Sequence, residues 1–293
     1  MKIIITGSLG HISKPLTEKL VQKGHSVFVI SSNPEKQKAI EALGAEAAIG
    51  SLENVAFLTQ VFTGADATYC MNPPNFGVAD QIAYYQQMGA CYAKAITQSG
   101  IKRVIYLSSV GAHLPAGTGI ITGSHQAEKL LNAIPGIFLT HLRPGFFYYN
   151  LLRFIDMIKH AGFIGDVYGG EDRLALVSPL DIAAAIAEEI TDLNSTKKIR
   201  YVSSDDRTCQ EIASVLGKAI GKPDLKWLVL PEEQVLQTLL SHGVPQPTTE
   251  KLVELGLSLH SGALRADYDL NRPAFGEVSL EDFGHEFVKS FNH

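Results

Sequence analysis

Gly7, Gly10 and Ser13 stand three residues apart directly after the apolar run Lys2-Ile3-Ile4-Ile5, giving the spacing G-x-x-G-x-x-S. A glycine at the first position permits a tight turn, and one at the second lets the backbone come close to a bound anion. The amides that open a following helix then point at that anion, so the chemistry this spacing supports is the binding of a dinucleotide pyrophosphate. Ser13 replaces a third residue that is usually glycine or alanine, and it is small enough for close helix–strand packing.

The end of the second predicted strand decides between the two dinucleotides. A carboxylate there would hold the adenosine ribose 2′-hydroxyl of NAD and repel a 2′-phosphate. The chain has Ser31-Ser32-Asn33 instead, followed by Lys36 and Lys38. Hydroxyls, an amide and nearby ammonium groups accept a phosphate dianion, although no arginine supplies a bidentate clamp. NADP is favoured as the cofactor, and NAD stays compatible with the same residues.

These residues need a frame, and the alternation of the chain supplies one. Strands are predicted over 2–6, 27–30, 45–49, 67–71, 104–107 and 137–142, with helices over 13–23, 34–43, 54–62, 79–98 and 123–133. Apolar strands alternating with helices imply a parallel sheet covered on both faces, and right-handed crossovers make it doubly wound. The fold class is therefore α/β, a doubly wound parallel Rossmann sheet over 1–150 with a smaller, mostly helical C-terminal lobe over 151–293, a substrate or lid lobe interwoven with the first domain. In that lobe the predicted helices are 151–160, 179–191, 209–220, 232–242 and 249–259. Strand candidates lie at 174–177, 200–203 and 225–230, and the first two could return to the main sheet.

Composition narrows the function classes. The 293 residues carry 25 Lys plus Arg against 30 Asp plus Glu, a formal charge of −5, which argues against direct nucleic-acid binding. Cys70, Cys91 and Cys209 are widely spaced with no C-x-x-C, so neither a disulfide framework nor a metal site is expected. No apolar run approaches the roughly 18 residues of a membrane span. A reducing cytoplasm is the expected location, with a small-molecule substrate. A second copy of the chain or a regulatory protein stays open as a partner.

An ordered set of motifs runs along the chain: Ile5-Thr6-Gly7-Ser8-Leu9-Gly10, Asn33-Pro34-Glu35-Lys36, Gly50-Ser51-Leu52-Glu53-Asn54, Tyr106-Leu107-Ser108-Ser109-Val110-Gly111-Ala112, Leu142-Arg143-Pro144-Gly145-Phe146-Phe147 and Ser178-Pro179-Leu180-Asp181-Ile182-Ala183. With these motifs the sequence resembles the NmrA-like family of atypical short-chain dehydrogenases. It is also similar to the related quinone oxidoreductases and, more distantly, to sugar-nucleotide epimerases. The resemblance implies that Gly7, Leu9, Gly10, His11 and Ile12 line the pyrophosphate, and that Ser31, Ser32 and Asn33 face the adenosine ribose. It implies Ser51 and Leu52 near adenine, where the family commonly has an acidic residue in place of Ser51. Asn72 and Pro73 would pass beneath the nicotinamide ribose, and Pro144 and Gly145 would cover the nicotinamide.

Most short-chain dehydrogenases use a Tyr-x-x-x-Lys pair together with a serine at the end of the fifth strand. Ser108 fits the serine by position, but the pair is missing. His125 stands where the tyrosine would be, and Lys129 follows four residues on, on the same helical face. A histidine can donate a proton near neutral pH. Ser108, His125 and Lys129 are therefore the catalytic candidates. The plainer reading is that Ser124 caps this helix and His125 and Lys129 are solvated.

A quinone reduced by hydride takes its proton from water, so losing the tyrosine weakens a carbonyl reductase more than a quinone reductase. The expected function is hydride transfer from NAD(P)H to a small quinone-like or carbonyl substrate. The alternative is a non-catalytic protein that senses NAD(P). Phe146, Phe147, Tyr148 and Tyr149 could stack on a flat substrate or simply form core, Tyr84 and Tyr85 should pack, and Asp181 should act as a helix cap.

Overall fold

Ile3, Ile4 and Ile5 are all completely buried, because the strand they form is covered on both faces. In the computed structural model, which describes residues 1–75, 77–193, 195–196 and 198–293, that strand is β1 (Lys2–Ile5). There follow α1 (Ser13–Gln22), β2 (Ser26–Ser31), α2 (Gln37–Glu41), β3 (Glu46–Ile49), α3 (Val55–Phe62), β4 (Ala67–Cys70), α4 (Gln81–Ser99), β5 (Arg103–Leu107), α5 (Ile121–Asn132) and β6 (Phe138–Pro144). The chain continues through β7 (Phe146–Phe147), α6 (Ile155–Ala161), β8 (Ile164–Asp166), β9 (Arg173–Val177), α7 (Pro179–Thr191), β10 (Ile199–Val202), β11 (Asp205–Thr208), α8 (Cys209–Ala219), β12 (Trp227–Val229), α9 (Glu232–Ser241), α10 (Gln246–His260), α11 (Ala266–Leu270) and α12 (Leu280–Asn292).

The main sheet has seven strands in the order β10-β6-β5-β4-β1-β2-β3. It is parallel, with Ile3 level with Val27 on one side and with Ala67 on the other, and Cys70 level with Tyr106. The strand order reverses between β1 and β4. In an open α/β sheet the crevice beyond the carboxyl ends of two such strands is where ligands bind. The doubly wound Rossmann sheet is thus the architecture of the chain.

The predicted strand at 200–203 does join the main sheet, as β10, whereas the one at 174–177 does not. It is β9, and it pairs antiparallel with β11 and parallel with β7 in a three-stranded sheet of its own. Three helical expectations also change. Ser124 lies inside α5, which begins at Ile121, so it caps nothing. Helix α10 begins at Gln246, because Pro247 is tolerated in a first turn, where its missing N–H costs nothing. Helix α12 was not expected at all, yet Ser279 and Asp282 form a reciprocal capping box at its start.

Contacts divide the chain into two units. The first gathers Met1–Ser109, Gly123–Arg143 and Ile182–Arg200; the second gathers Val110–Thr122, Pro144–Asp181 and Tyr201–His293. The first unit is held by a core that includes Leu58, Phe62, Met88, Tyr92, Val104, Tyr106 and Leu131. Within it α4 and α5 approach closely, because Gly89 and Gly123 carry no side chain: a Cβ on Gly123 would lie 2.7 Å from Tyr85 Cβ. The second unit has a separate core in which Trp227 meets Phe154 edge-on at 4.9 Å. Among the described residues no helix is long and apolar enough to cross a membrane.

Candidate functional site

The turn after β1 is tied to the end of β4. Thr6 N donates to Tyr69 O at 3.1 Å, and Met71 N donates to Thr6 Oγ1 at 2.9 Å. Gly7 has φ +89°, and a Cβ there would stand 2.5 Å from Ser13 Oγ. Ser13 Oγ donates to Thr6 O at 2.8 Å. The serine in the third small position therefore fastens the helix to the strand rather than merely fitting beside it. Gly10 is exposed, Leu9 is half-buried, His11 is exposed and Ile12 is buried. At the N-terminus of α1 no side chain caps the helix and no acid occupies the first turn. Such a terminus attracts an anion through its amides and its dipole.

The end of β2 lies beside this turn. Ser31 Oγ is buried and accepts from Ser8 Oγ at 3.0 Å and from Asn33 N at 3.2 Å. Ser8 has φ +54°, an uncommon conformation for a residue with a side chain, and its N–H donates to Ile30 O at 3.1 Å. Asn33 Oδ1 accepts from Glu35 N at 2.9 Å, capping the short 3-10 turn Pro34–Lys36. Ser32, Asn33, Lys36 and Lys38 are exposed. At the end of β3, Ser51 Oγ accepts from Glu53 N at 3.1 Å, and Leu52 is half-buried.

Tyrosines on α4 fix the segment after β4. Tyr92 Oη donates to Met71 O at 2.6 Å and Tyr84 Oη donates to Pro73 O at 3.1 Å. Gln81 Nε2 donates to Asn75 O and Val78 O. Positions 81, 84, 88 and 92 share one helical face, a spacing visible in the sequence, so Tyr84 packs as expected and also orients the loop. Asn72 is 7% exposed; its Nδ2 donates to Tyr106 Oη at 3.0 Å, and its Oδ1 has no partner. Pro73 is half-buried.

At the end of β5 the structure brings together three residues of which sequence reasoning named one. Ser108 Oγ donates to Glu128 Oε1 at 2.5 Å. Arg143, at the end of β6, donates to the same carboxylate through Nε at 3.0 Å and Nη2 at 2.7 Å. All three are buried. The residue of α5 that reaches Ser108 is thus Glu128, while His125 is half-buried and Lys129 is exposed. The signal for Glu128 was its place one turn beyond Ser124 on the face that α5 buries, since Gly123, Ser124, Ala127, Glu128 and Leu131 are its buried residues. Beneath them His141 Nε2 meets Asn132 Oδ1 at 2.9 Å, and burial drives its pKa down to about 4.

Pro144 and Gly145 belong to the second unit. Pro144 is buried, its carbonyl accepts from Val110 N at 3.0 Å, and Gly145 N donates to Val202 O at 3.0 Å. A Cβ on Gly145 would lie 2.1 Å from Ala175 O, so this position requires glycine. In the aromatic run that follows, Tyr148 stacks on Phe283 at 5.3 Å within the unit's core, and Phe146 packs beside it. Phe147 and Tyr149 instead stay half-buried and pair with each other, centroids 5.2 Å apart. Asp181 is not a plain helix cap. It accepts from Ser204 Oγ, Glu277 N and Val278 N, pinning the segment that leads into α12.

A family model described as the NmrA-like family matches residues 1–262. An NAD(P)H azoreductase from Xenophilus azovorans is 24% identical over 258 residues, covering 86% of this chain and 85% of the relative. Among solved structures, triphenylmethane reductase from Citrobacter sp. superimposes with a TM-score of 0.81 at 20% identity, over 99% of this chain and 100% of the other. An NADPH-dependent quinone oxidoreductase from Escherichia coli, solved with NADPH, gives a TM-score of 0.77 at 21% identity, over 97% of this chain and 99% of the other.

Proposed function

The chain belongs to the NmrA-like family, and from that premise we propose that it is an NADPH-dependent oxidoreductase acting on a flat, electron-poor aromatic acceptor such as a quinone. The observation that carries the reading is the start of α1, which stands at the strand-order reversal with neither a side-chain cap nor an acid in its first turn. The residues around it fit the cofactor. Gly7 has no room for a Cβ, and Gly10 is exposed to an approaching pyrophosphate. The exposed Ser32, Asn33 and Lys36 offer a hydroxyl, an amide and an ammonium group to a 2′-phosphate, while the buried Ser31 hydroxyl donates to Asn33 O and holds the turn. The unpartnered Oδ1 of Asn72 offers an acceptor to a ribose or amide donor.

The bound cofactor supplies a hydride. The residues of the chain bind and orient: the amides of α1 hold the pyrophosphate, and the Tyr84- and Tyr92-braced loop fixes Asn72 and Pro73 at the end of β4. A quinone that gains a hydride becomes a hydroquinone monoanion and takes its second proton from water, so no tyrosine is required. His125, half-buried on α5, is the side chain that could donate to a carbonyl acceptor. The named activities of the azoreductase, dye reductase and quinone oxidoreductase relatives support the flat aromatic substrate class.

The test is NADPH oxidation with a panel of naphthoquinones, azo dyes and aldehydes. Quinones should turn over at least tenfold faster, in kcat/KM, than aldehydes. Tight NADPH binding without turnover of any acceptor would overturn the enzymatic reading.

A further inference from the structure

A hydroxyl owns one proton and two lone pairs. Ser108 Oγ stands 2.5 Å from Glu128 Oε1, and the same carboxylate accepts two hydrogen bonds from Arg143. A carboxylate gripped by a guanidinium only accepts. The proton on Ser108 Oγ therefore points at Glu128, and any other group that reaches this oxygen meets a lone pair. The serine at the end of the fifth strand cannot, in this arrangement, donate to a substrate carbonyl.

The neighbouring strand end has the same polarity. Asn72 and Ser108 follow the neighbouring parallel strands β4 and β5, whose last paired residues are Cys70 and Tyr106, and Asn72 Nδ2 donates to Tyr106 Oη at 3.0 Å. Asn72 and Ser108 are both 7% exposed, and Asn72 Oδ1 has no partner. A buried acceptor without a donor destabilises the state that leaves it unpaired. The unpartnered Oδ1 of Asn72 and the lone pairs of Ser108 Oγ, on neighbouring strand ends, mark a place for a group that donates.

We propose that Asn72 Oδ1 and Ser108 Oγ form an acceptor pair for a ligand N–H or O–H, so that Ser108 selects ligands by the hydrogen bond they give. This rests on the reading that ligands sit at the carboxyl ends of β4 and β5. Two sources carry the required chemistry: the carboxamide of the cofactor, or an amino or hydroxyl substituent on the electron acceptor.

Calorimetric binding to the full chain tests the proposal with two isosteric pairs, in each of which a methyl replaces an amino group. One pair is 2-amino- against 2-methyl-1,4-naphthoquinone, measured with NADP present; the other is NADP against its 3-acetylpyridine analogue. The donor-bearing member of at least one pair should bind about three- to tenfold tighter. Ser108→Ala should abolish that preference, and the pair in which it vanishes identifies the source. Asn72→Leu should lower the same ratio. Equal binding in both pairs by the unaltered protein, or a preference that survives Ser108→Ala, would overturn the proposal. Because Ser108→Ala leaves Glu128 paired with Arg143, an unchanged melting temperature separates this result from misfolding. Failure of NADPH oxidation would sink the enzymatic reading and leave these binding ratios legible.

Discussion

Glu128 on α5 and Arg143 at the end of β6 form a bidentate pair, Nη2 to Oε2 2.7 Å, with both side chains at least nine-tenths buried. Removing one member of such a pair strands the other charge in a low-dielectric interior. Glu128→Ala should therefore destabilise the fold by about 3–5 kcal/mol, read as a lowered denaturant midpoint at constant slope. The double replacement Glu128→Leu with Arg143→Met should cost less than the single change, because it leaves no unpaired charge. A double variant less stable than Glu128→Ala would show that the pair does more than satisfy itself.

His141 gives the fold a pH dependence. Burial lowers its pKa from 6.5 to about 4 in the folded state, with Glu128 and Arg143 acting in opposite directions. Nε2 bonds to Asn132 while Nδ1 is buried without a partner, as suits a neutral ring. The unfolded chain then takes up a proton near pH 6.5 that the folded chain refuses. This contribution is present above pH 6.5 and is lost as pH falls toward 4, by about 3 kcal/mol in all. His141→Gln should flatten the slope of unfolding free energy between pH 4 and 6.5. An unchanged slope in that variant would assign the pH dependence elsewhere.

Asn33 is placed to set the choice between dinucleotides. Its Oδ1 caps the turn at Pro34–Lys36 by accepting from Glu35 N, and an aspartate would keep that cap. Asn33→Asp thus adds a negative charge where a 2′-phosphate is expected, at little cost to the fold. Like charges brought together cost several kcal/mol, so the ratio of NADP to NAD affinity should fall by about tenfold or more. The comparison of the two dissociation constants checks it; an unaltered ratio would remove Asn33 from the adenosine site.

How much of this was legible depended on whether the signal was local. The Gly7–Ser13 turn, the six strands of the first half and the start of α1 at Ser13 follow from residues close in sequence, and the structure has them where the local pattern placed them. Glu128 was not found because its partners Ser108 and Arg143 are 20 and 15 residues away. An acid on a helix next to a lysine looks like solvated charge until the strands that meet it are known. The fate of β9 was hidden for the same reason: a short apolar run does not say which sheet it joins, and here the partner β11 is the polar sequence Asp205–Thr208. Helix α12 was legible in principle, through Ser279 and Asp282.

The run Phe146 to Tyr149 admitted two readings, core or stacking surface, and the structure places Phe146 and Tyr148 with the core. Phe146 and Tyr148 pack into the second unit, whereas Phe147 and Tyr149 remain half-buried in a pair. Changing a core ring and changing a surface ring should then have opposite signatures. Tyr148→Ala removes a buried ring that stacks on Phe283 and should cost about 3–5 kcal/mol of stability. Phe147→Ala and Tyr149→Ala should leave the melting temperature within a few degrees. Each should raise KM for a naphthoquinone about three- to tenfold, the loss expected of one aromatic contact of about 0.5–1.5 kcal/mol, with little change in kcat. A small non-aromatic acceptor should not register the change. An unchanged KM for the naphthoquinone in both variants would show that the pair is no stacking surface.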